Sequence, residues 1–241
     1  KVSAVDIQSG PNTKWRVVGI DPAPKKPSTV CYFDGKKLEF EELKPHILLK
    51  LMKGLEKESN ILVTWDAPLT GPPILEHGEE KQGECYFYYR RIEKYFGDHG
   101  KFDTPTGIST LGYAGCPHWA ITKAATGLPL LGPHCKKGDE LPFHHILCSN
   151  TELREDKPNI IEVHPALAMY LWLKEDEDLK NQENWRYKGP KGSADKRNVF
   201  YEKLKNKLSA ELSDIQIPDQ VTNADKLDAF VAWVLGYFYE I

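Results

Sequence analysis

One construction occurs twice in this chain and limits what it can fold into. The apolar, β-branched run Trp15–Ile20 stops at Asp21-Pro22, and the run Ile61–Trp65 stops at Asp66-Ala67-Pro68. Short apolar runs bounded by turn residues are the pattern of buried strands. Proline then ends the ladder, because it has no N–H to donate. Each strand therefore carries a carboxylate at its C-terminal tip, where open α/β sheets gather their ligands. Taken singly, such an aspartate is also the ordinary opening of a turn. If the two strands are neighbours, the carboxylates repel, and one must hold a proton or a cation must lie between them.

The order of the remaining elements agrees with a mixed α/β sheet. Thr29–Phe33 and Lys36–Phe40 flank Asp34-Gly35, a pair that favours a type I′ hairpin turn. In Glu41–Glu58, Leu43, Ile47, Leu48, Leu51 and Leu55 fall at helical spacing, with Pro45 tolerated only in the first turn. A strand after that helix suggests a parallel crossover back beside the first strand. The stretch from Gly71 to about Pro158 is irregular and rich in Gly and Pro. It holds helical patterns near Glu84–Phe96 and Tyr113–Ala125 and is expected to be an insertion (71–158) capping the core of a single domain, 1–241. Beyond it come a strand, Asn159–Val163, a helix, Ala166–Leu173, opened by His164-Pro165, and a charged helix, Ala194–Leu212. A last helix spans Ala224–Tyr239. A three-strand antiparallel meander followed by parallel strands and flanking helices is the topology of a ribonuclease-H-like sheet, although element order alone fits several α/β folds.

The last helix adds two more acids. Asp225 and Asp228 are three apart and project from one face, which Ala229, Ala232 and Gly236 continue. Small residues there would let the helix lie close against the sheet. A plainer account is available: Thr222 and Asp225 have capping-box spacing, and acids in a first turn complement the helix dipole. Glu162 stands inside an apolar strand, where a carboxylate is costly unless paired. It is a fifth candidate for the same site, or a partner for a lysine such as Lys188 or Lys191.

The segments Val18-Gly19-Ile20-Asp21-Pro22-Ala23, Thr64-Trp65-Asp66-Ala67-Pro68-Leu69, Ile161-Glu162-Val163-His164-Pro165 and Asp225-Lys226-Leu227-Asp228-Ala229 resemble the predicted ribonuclease-H-like nucleases catalogued as domain of unknown function 429. The last segment is also similar to the final helix of RuvC-type junction resolvases, in which two acids three apart complete a metal site. The resemblance implies that Asp21, Asp66, Asp225 and Asp228 are metal ligands. It also places Lys191 and Arg197 in a basic stretch before the last helix.

The implied chemistry is hydrolysis of a phosphodiester, in nucleic acid or a smaller ester, with Mg²⁺ or Mn²⁺ as cofactor. Hard divalent cations take oxygen ligands and stabilise charge on the attacking and leaving oxygens. Lys188, Lys191 and Arg197 would hold substrate phosphates. Overall charge gives no support to a nucleic-acid partner, because 32 Lys and Arg stand against 35 Asp and Glu. Local charge does: Arg186–Lys207 carries eight basic residues and two acids, although a solvated helix face has the same composition.

Two rival functions share the fold. An ATP-dependent phosphotransferase of the sugar-kinase or acetate-kinase class would need Gly-rich phosphate loops, and here Asp21 is followed by Pro22-Ala23-Pro24. A non-catalytic binding module would show no carboxylate-dependent affinity for metal. Cys116, His118, His134, Cys135, His144, His145 and Cys148 raise the possibility of structural zinc, at a spacing that matches no standard zinc motif. Tyr86–Tyr89 before Arg90 and Arg91 could stack on bases. Five cysteines without a CxxC pair do not suggest a disulfide framework. No apolar run reaches membrane-spanning length, and Lys1–Gly10 lacks the apolar core of a signal peptide, so a cytoplasmic location is expected.

Overall fold

A computed structural model describes residues 2–23, 25–67, 69, 121–122, 124–127, 142–146, 152–179, 187–188 and 194–239. The strands are β1 (Arg16–Asp21), β2 (Ser28–Phe33), β3 (Leu38–Leu43), β4 (Ile61–Trp65), β5 (His144–Ile146) and β6 (Asn159–Glu162). The helices are α1 (Pro45–Leu55), α2 (Pro165–Leu173), α3 (Ala194–Lys207) and α4 (Ala224–Tyr239), with 3-10 turns at Ala4–Asp6 and Glu177–Leu179. The six strands form one mixed sheet in the order β3-β2-β1-β4-β6-β5. The meander β1-β2-β3 is antiparallel, and β4, β6 and β5 run parallel to β1. The expected adjacency of the two Asp-tipped strands holds, with Ile20 opposite Trp65. The Asp66 N–H extends the ladder by donating to the Ile20 carbonyl at 2.9 Å.

Several local expectations shift. The hairpin turn is Asp34–Lys37, one residue later than the Asp-Gly pair suggests, with Gly35 and Lys36 at its centre. Gly35 alone takes positive φ (99°), so the type I′ requirement at both central positions is not met. The Asp34 carboxylate instead accepts the N–H groups of Lys36 (2.8 Å) and Lys37 (2.9 Å), which fixes the later turn. Strand β3 then runs on to Leu43, pairing with Ser28, and absorbs the first residues of the expected helix. Helix α1 starts at Pro45, where a missing N–H costs nothing. Helix α3 stops at Lys207 and gives way to turns. Strand β5 comes from within 71–158, so part of that stretch belongs to the sheet itself. Residues 121–122 and 124–126 are helical, and the Trp65 indole donates to the Thr122 hydroxyl at 3.0 Å. The pattern near Glu84–Phe96, the aromatic-basic run Tyr86–Arg91, and Cys116, His118, His134, Cys135 and Cys148 lie outside the described residues. Among the described residues, no helix is long and apolar enough to cross a membrane.

Strand alternation divides the core. Val18, Ile20, Val63, Trp65 and Ile160 face α1, whereas Val17, Leu62 and Ile161 face α2, α3 and α4. Helix α4 lies directly on β1 and β4. A Cβ added at Gly19 would come 2.4 Å from both the Ala229 carbonyl oxygen and the Trp233 nitrogen, so helix and strand meet backbone to backbone. One at Gly236 would meet Val17 Cγ1 at 2.6 Å and Thr64 Cγ2 at 2.7 Å. The Thr64 hydroxyl closes the same contact by donating to the Ala232 carbonyl at 2.7 Å. The small residues of α4 therefore do face the sheet.

These contacts yield a prediction. At Gly19 the obstacle is backbone on both sides, so Gly19→Ala should lower unfolding free energy by roughly 3 kcal/mol. At Gly236 the obstacle is side chain, and alanine improves helix propensity, so Gly236→Ala should cost only about 1–2 kcal/mol. Urea unfolding at constant m-value checks the ranking. Equal midpoints for the two variants would contradict a backbone contact at Gly19.

Candidate active site

The pairing of α4 with β1 decides which acids meet. Val17 lies beside Gly236, and Gly19 lies between Ala229 and Trp233, so strand and helix run in opposite senses. Going two residues further along β1, about 7 Å at strand rise, reaches Asp21. The same distance back along the helix is between four and five residues at about 1.5 Å each, which reaches the turn of Asp225 and Asp228. Alternation puts Asp21 on the same sheet face as Gly19, and Asp66 on the face of Thr64. The charges acting on Asp21 are accordingly those of Asp228, Asp66, Lys188 and Asp225.

Asp228 is the deepest of these acids, with no solvent exposure. Its Oδ1 accepts the Tyr187 hydroxyl at 2.7 Å, and its Oδ2 lies 2.5 Å from the Lys188 ammonium. That ion pair is the partner of Oδ2; among the described residues no aligned hydrogen-bond donor reaches it. Tyr187 is buried against Phe200, with ring centroids 5.6 Å apart, so its hydroxyl is held rigidly. Asp21 and Asp66 are packed by protein on most sides but keep a partly accessible edge. Burial, reinforced by the charges of Asp228 and Asp66, holds the Asp21 carboxyl well above the usual range despite Lys188. Burial also lifts Asp66 to about 8; Lys188 pulls it down, while Asp228 and Glu162 push it up. For Lys188, burial opposes the charge, but Asp228, Tyr187, Asp66 and Asp21 outweigh it and hold the ammonium well above its ordinary value.

The other expected residues are placed differently. Asp225 is at the rim, ion-paired with Lys26, and 28% of its side chain is exposed. Its helix is capped by Asn223, whose Oδ1 accepts the Lys226 N–H at 2.8 Å, so Thr222 and Asp225 are not needed as a capping box. Glu162 shares the strand face of Ile160, opposite α4, because strand side chains alternate. Its Oε2 accepts the Leu69 N–H at 3.0 Å, and its charge acts on Asp66. Lys188, a candidate for holding substrate phosphate, has its ammonium on Asp228 Oδ2. Lys191 lies outside the described residues. Arg197 is in the first turn of α3, with its Nε buried and, among the described residues, without a hydrogen-bond partner. The basic stretch is partly neutralised at its far end, where Lys203 bridges Asp176 (2.8 Å) and Asp178 (2.9 Å) and Lys205 pairs with Glu202. Tyr187 was missed in the sequence, where a tyrosine next to Lys188 carries no signal of its own.

The donors converging here are carboxylate oxygens, the ligands hard divalent cations prefer. As the side chains stand, no group of three or more His, Cys, Asp or Glu among the described residues is disposed to hold a metal ion. The cation bound to Asp228 is the Lys188 ammonium.

Crowded carboxylates give a stability prediction whose sign is fixed. The folded value of Asp66, about 8, lies above the unfolded value near 4. Its proton therefore favours the folded state at low pH, and that contribution is lost as pH rises through about 8. In chelator-treated protein, Asp66→Asn should leave stability nearly unchanged near pH 4. At pH 8 it should raise stability by more than about 1 kcal/mol. Thermal unfolding across this range tests it, and a destabilised variant at pH 8 would show that Asp66 is not under repulsion. Tyr187→Phe removes a hydrogen bond to a buried charge and should cost about 1.5–3 kcal/mol by denaturant unfolding.

No family model, no curated protein and no solved structure matches this chain.

Proposed function

We propose that the chain is a ribonuclease-H-like, divalent-metal-dependent hydrolase of phosphodiesters, with nucleic acid as its substrate class. Asp21, Asp66 and Asp228 would hold Mg²⁺ or Mn²⁺, with Asp225 at the edge of the site. The observation that carries this reading is the convergence of three carboxylates, from two parallel strand tips and the first turn of one helix, close enough to act on one another's charge, with the Lys188 ammonium on one of them. Further support comes from the β3-β2-β1-β4 order, in which an antiparallel meander is joined to a parallel strand.

A bound divalent cation supplies positive charge where the entering and leaving oxygens of a phosphodiester accumulate negative charge. The chain's own groups set the stage. Tyr187 holds Asp228 Oδ1 and leaves Oδ2 to the Lys188 ammonium. Burial, with the charges of Asp228 and Glu162, favours a proton on Asp66 even with Lys188 beside it, until a divalent cation would replace that proton. Lys188, with half its side chain exposed, would be available to an arriving substrate phosphate.

One observation favours a second reading, a non-catalytic module built on the same scaffold. The ammonium already neutralises Asp228, so the acids do not need a metal to coexist. Manganese titration followed by electron paramagnetic resonance separates the two, with fluorescent single- and double-stranded oligonucleotides as substrates. Saturable Mn²⁺ binding and Mn²⁺-dependent cleavage are expected. Asp21→Asn, Asp66→Asn and Asp228→Asn should each lower both by more than roughly 100-fold without unfolding the protein. Folded protein with no saturable Mn²⁺ binding would leave the binding module as the better account.

A further inference from the structure

We propose that Lys188 is a displaceable internal counter-ion, whose ammonium must leave Asp228 before a divalent cation can bind, so that metal uptake and release of the Lys188 side chain are one exchange. This rests on the metal-dependent reading of the acid cluster and adds the step by which the cluster opens.

Three observations lead there. First, Asp228 is wholly buried, and a buried carboxylate is costly without a compensating charge. Its Oδ2 lies 2.5 Å from Lys188 Nζ, while Oδ1 is engaged separately by Tyr187. Only Oδ2 therefore changes partner in the exchange, and Tyr187 keeps the carboxylate oriented throughout. Second, the ammonium is shared. Its charge also acts on Asp21 and Asp66, which places it among the same three carboxylates that would ligate a metal. A divalent cation and an ammonium crowded onto one set of oxygens repel each other, so occupancy by one disfavours the other. Third, Lys188 is mounted for withdrawal. Residues 187–188 belong to neither helix nor strand, and 51% of the Lys188 side chain is exposed although its head reaches a buried partner. Swinging the lysine stem outward would give up the ion pair with Asp228 and the contact of the ammonium with the Tyr187 ring (5.6 Å), and among the described residues it breaks no strand ladder. The acids, in contrast, sit on two strands and a helix locked by Gly19, Gly236 and Thr64. Once released, the ammonium would carry a free charge beside the acids, suited to a substrate phosphate.

The test compares the full-length wild type with Lys188→Met, which keeps the length of the stem and removes its charge. Mn²⁺ affinity is read from the electron paramagnetic resonance signal of free Mn²⁺, alongside thermal unfolding in chelator. Lys188→Met should unfold at a lower temperature without metal and bind Mn²⁺ roughly tenfold or more tightly than wild type. Lys188→Arg should stay close to wild type. Equal or weaker Mn²⁺ binding by Lys188→Met, with wild type binding saturably, overturns the exchange and leaves the metal site standing. Absence of saturable Mn²⁺ binding in both proteins overturns the exchange and the metal-dependent reading together. If Lys188→Met does not fold, amine labelling of wild type with peptide mass analysis decides the matter. Saturating Mn²⁺ should accelerate modification of Lys188 several-fold relative to other lysines, and an unchanged rate overturns the exchange.

Discussion

The backbone contact between β1 and α4 at Gly19 governs the rest of the molecule. A strand and a helix approach this closely only where neither has a side chain in the way, and Gly19, Ala229 and Gly236 supply the three gaps. The Thr64 hydroxyl then ties the helix carbonyl of Ala232 to the neighbouring strand. With helix and sheet fixed against each other at two levels, the position of the helix's first turn over the strand tips is no longer free. The acids at those places are brought together by packing, against their mutual repulsion. Close-packed interiors transmit such constraints because they deform little.

The electrostatic consequence is a store of unfavourable free energy at the tips of β1 and β4. Two lysines relieve it from different directions. Lys26, in the connection between β1 and β2, takes Asp225 at the rim, and Lys188 takes Asp228 in the interior. The remaining repulsion shows in the raised affinity of Asp21 and Asp66 for protons. Buried like charges that cost stability are characteristic of sites kept for function. By contrast, the ion pairs of Lys203 with Asp176 and Asp178 relieve no such crowding and anchor the end of α2 to α3.

Much of this arrangement was legible because it follows from local rules. Proline after an apolar run fixed the ends of β1 and β4, and His164-Pro165 marked the opening of α2, whereas α1 begins at Pro45, four residues after the start its periodicity suggested. The small residues of the last helix announced its closeness to the sheet. Local rules failed where one residue of register mattered. The hairpin turn moved to Asp34–Lys37 because the Asp34 side chain captured two backbone N–H groups, and β3 lengthened accordingly. Alternation along β6 puts Glu162 on the sheet face of Ile160, while its charge still acts on Asp66. Strand β5 is three residues long and, among the described residues, pairs with β6; it is too short for any periodicity to reveal.

By itself the amino-acid sequence determined most of the described strands and helices, though not β5 or the exact bounds of β3, α1 and α3, and that acids stand at the ends of β1 and β4 and the start of α4. These are consequences of side-chain periodicity, proline geometry and the absence of Cβ atoms, all properties of neighbouring residues. Only the tertiary structure decided which carboxylates come close together and which lysines pair with Asp225 and Asp228. Tyr187 and Lys188 are some forty residues from Asp228, and Lys26 is nearly two hundred from Asp225. No local preference encodes such pairs. They arise when burial leaves a carboxylate needing a charge or a donor, and the fold delivers one within reach.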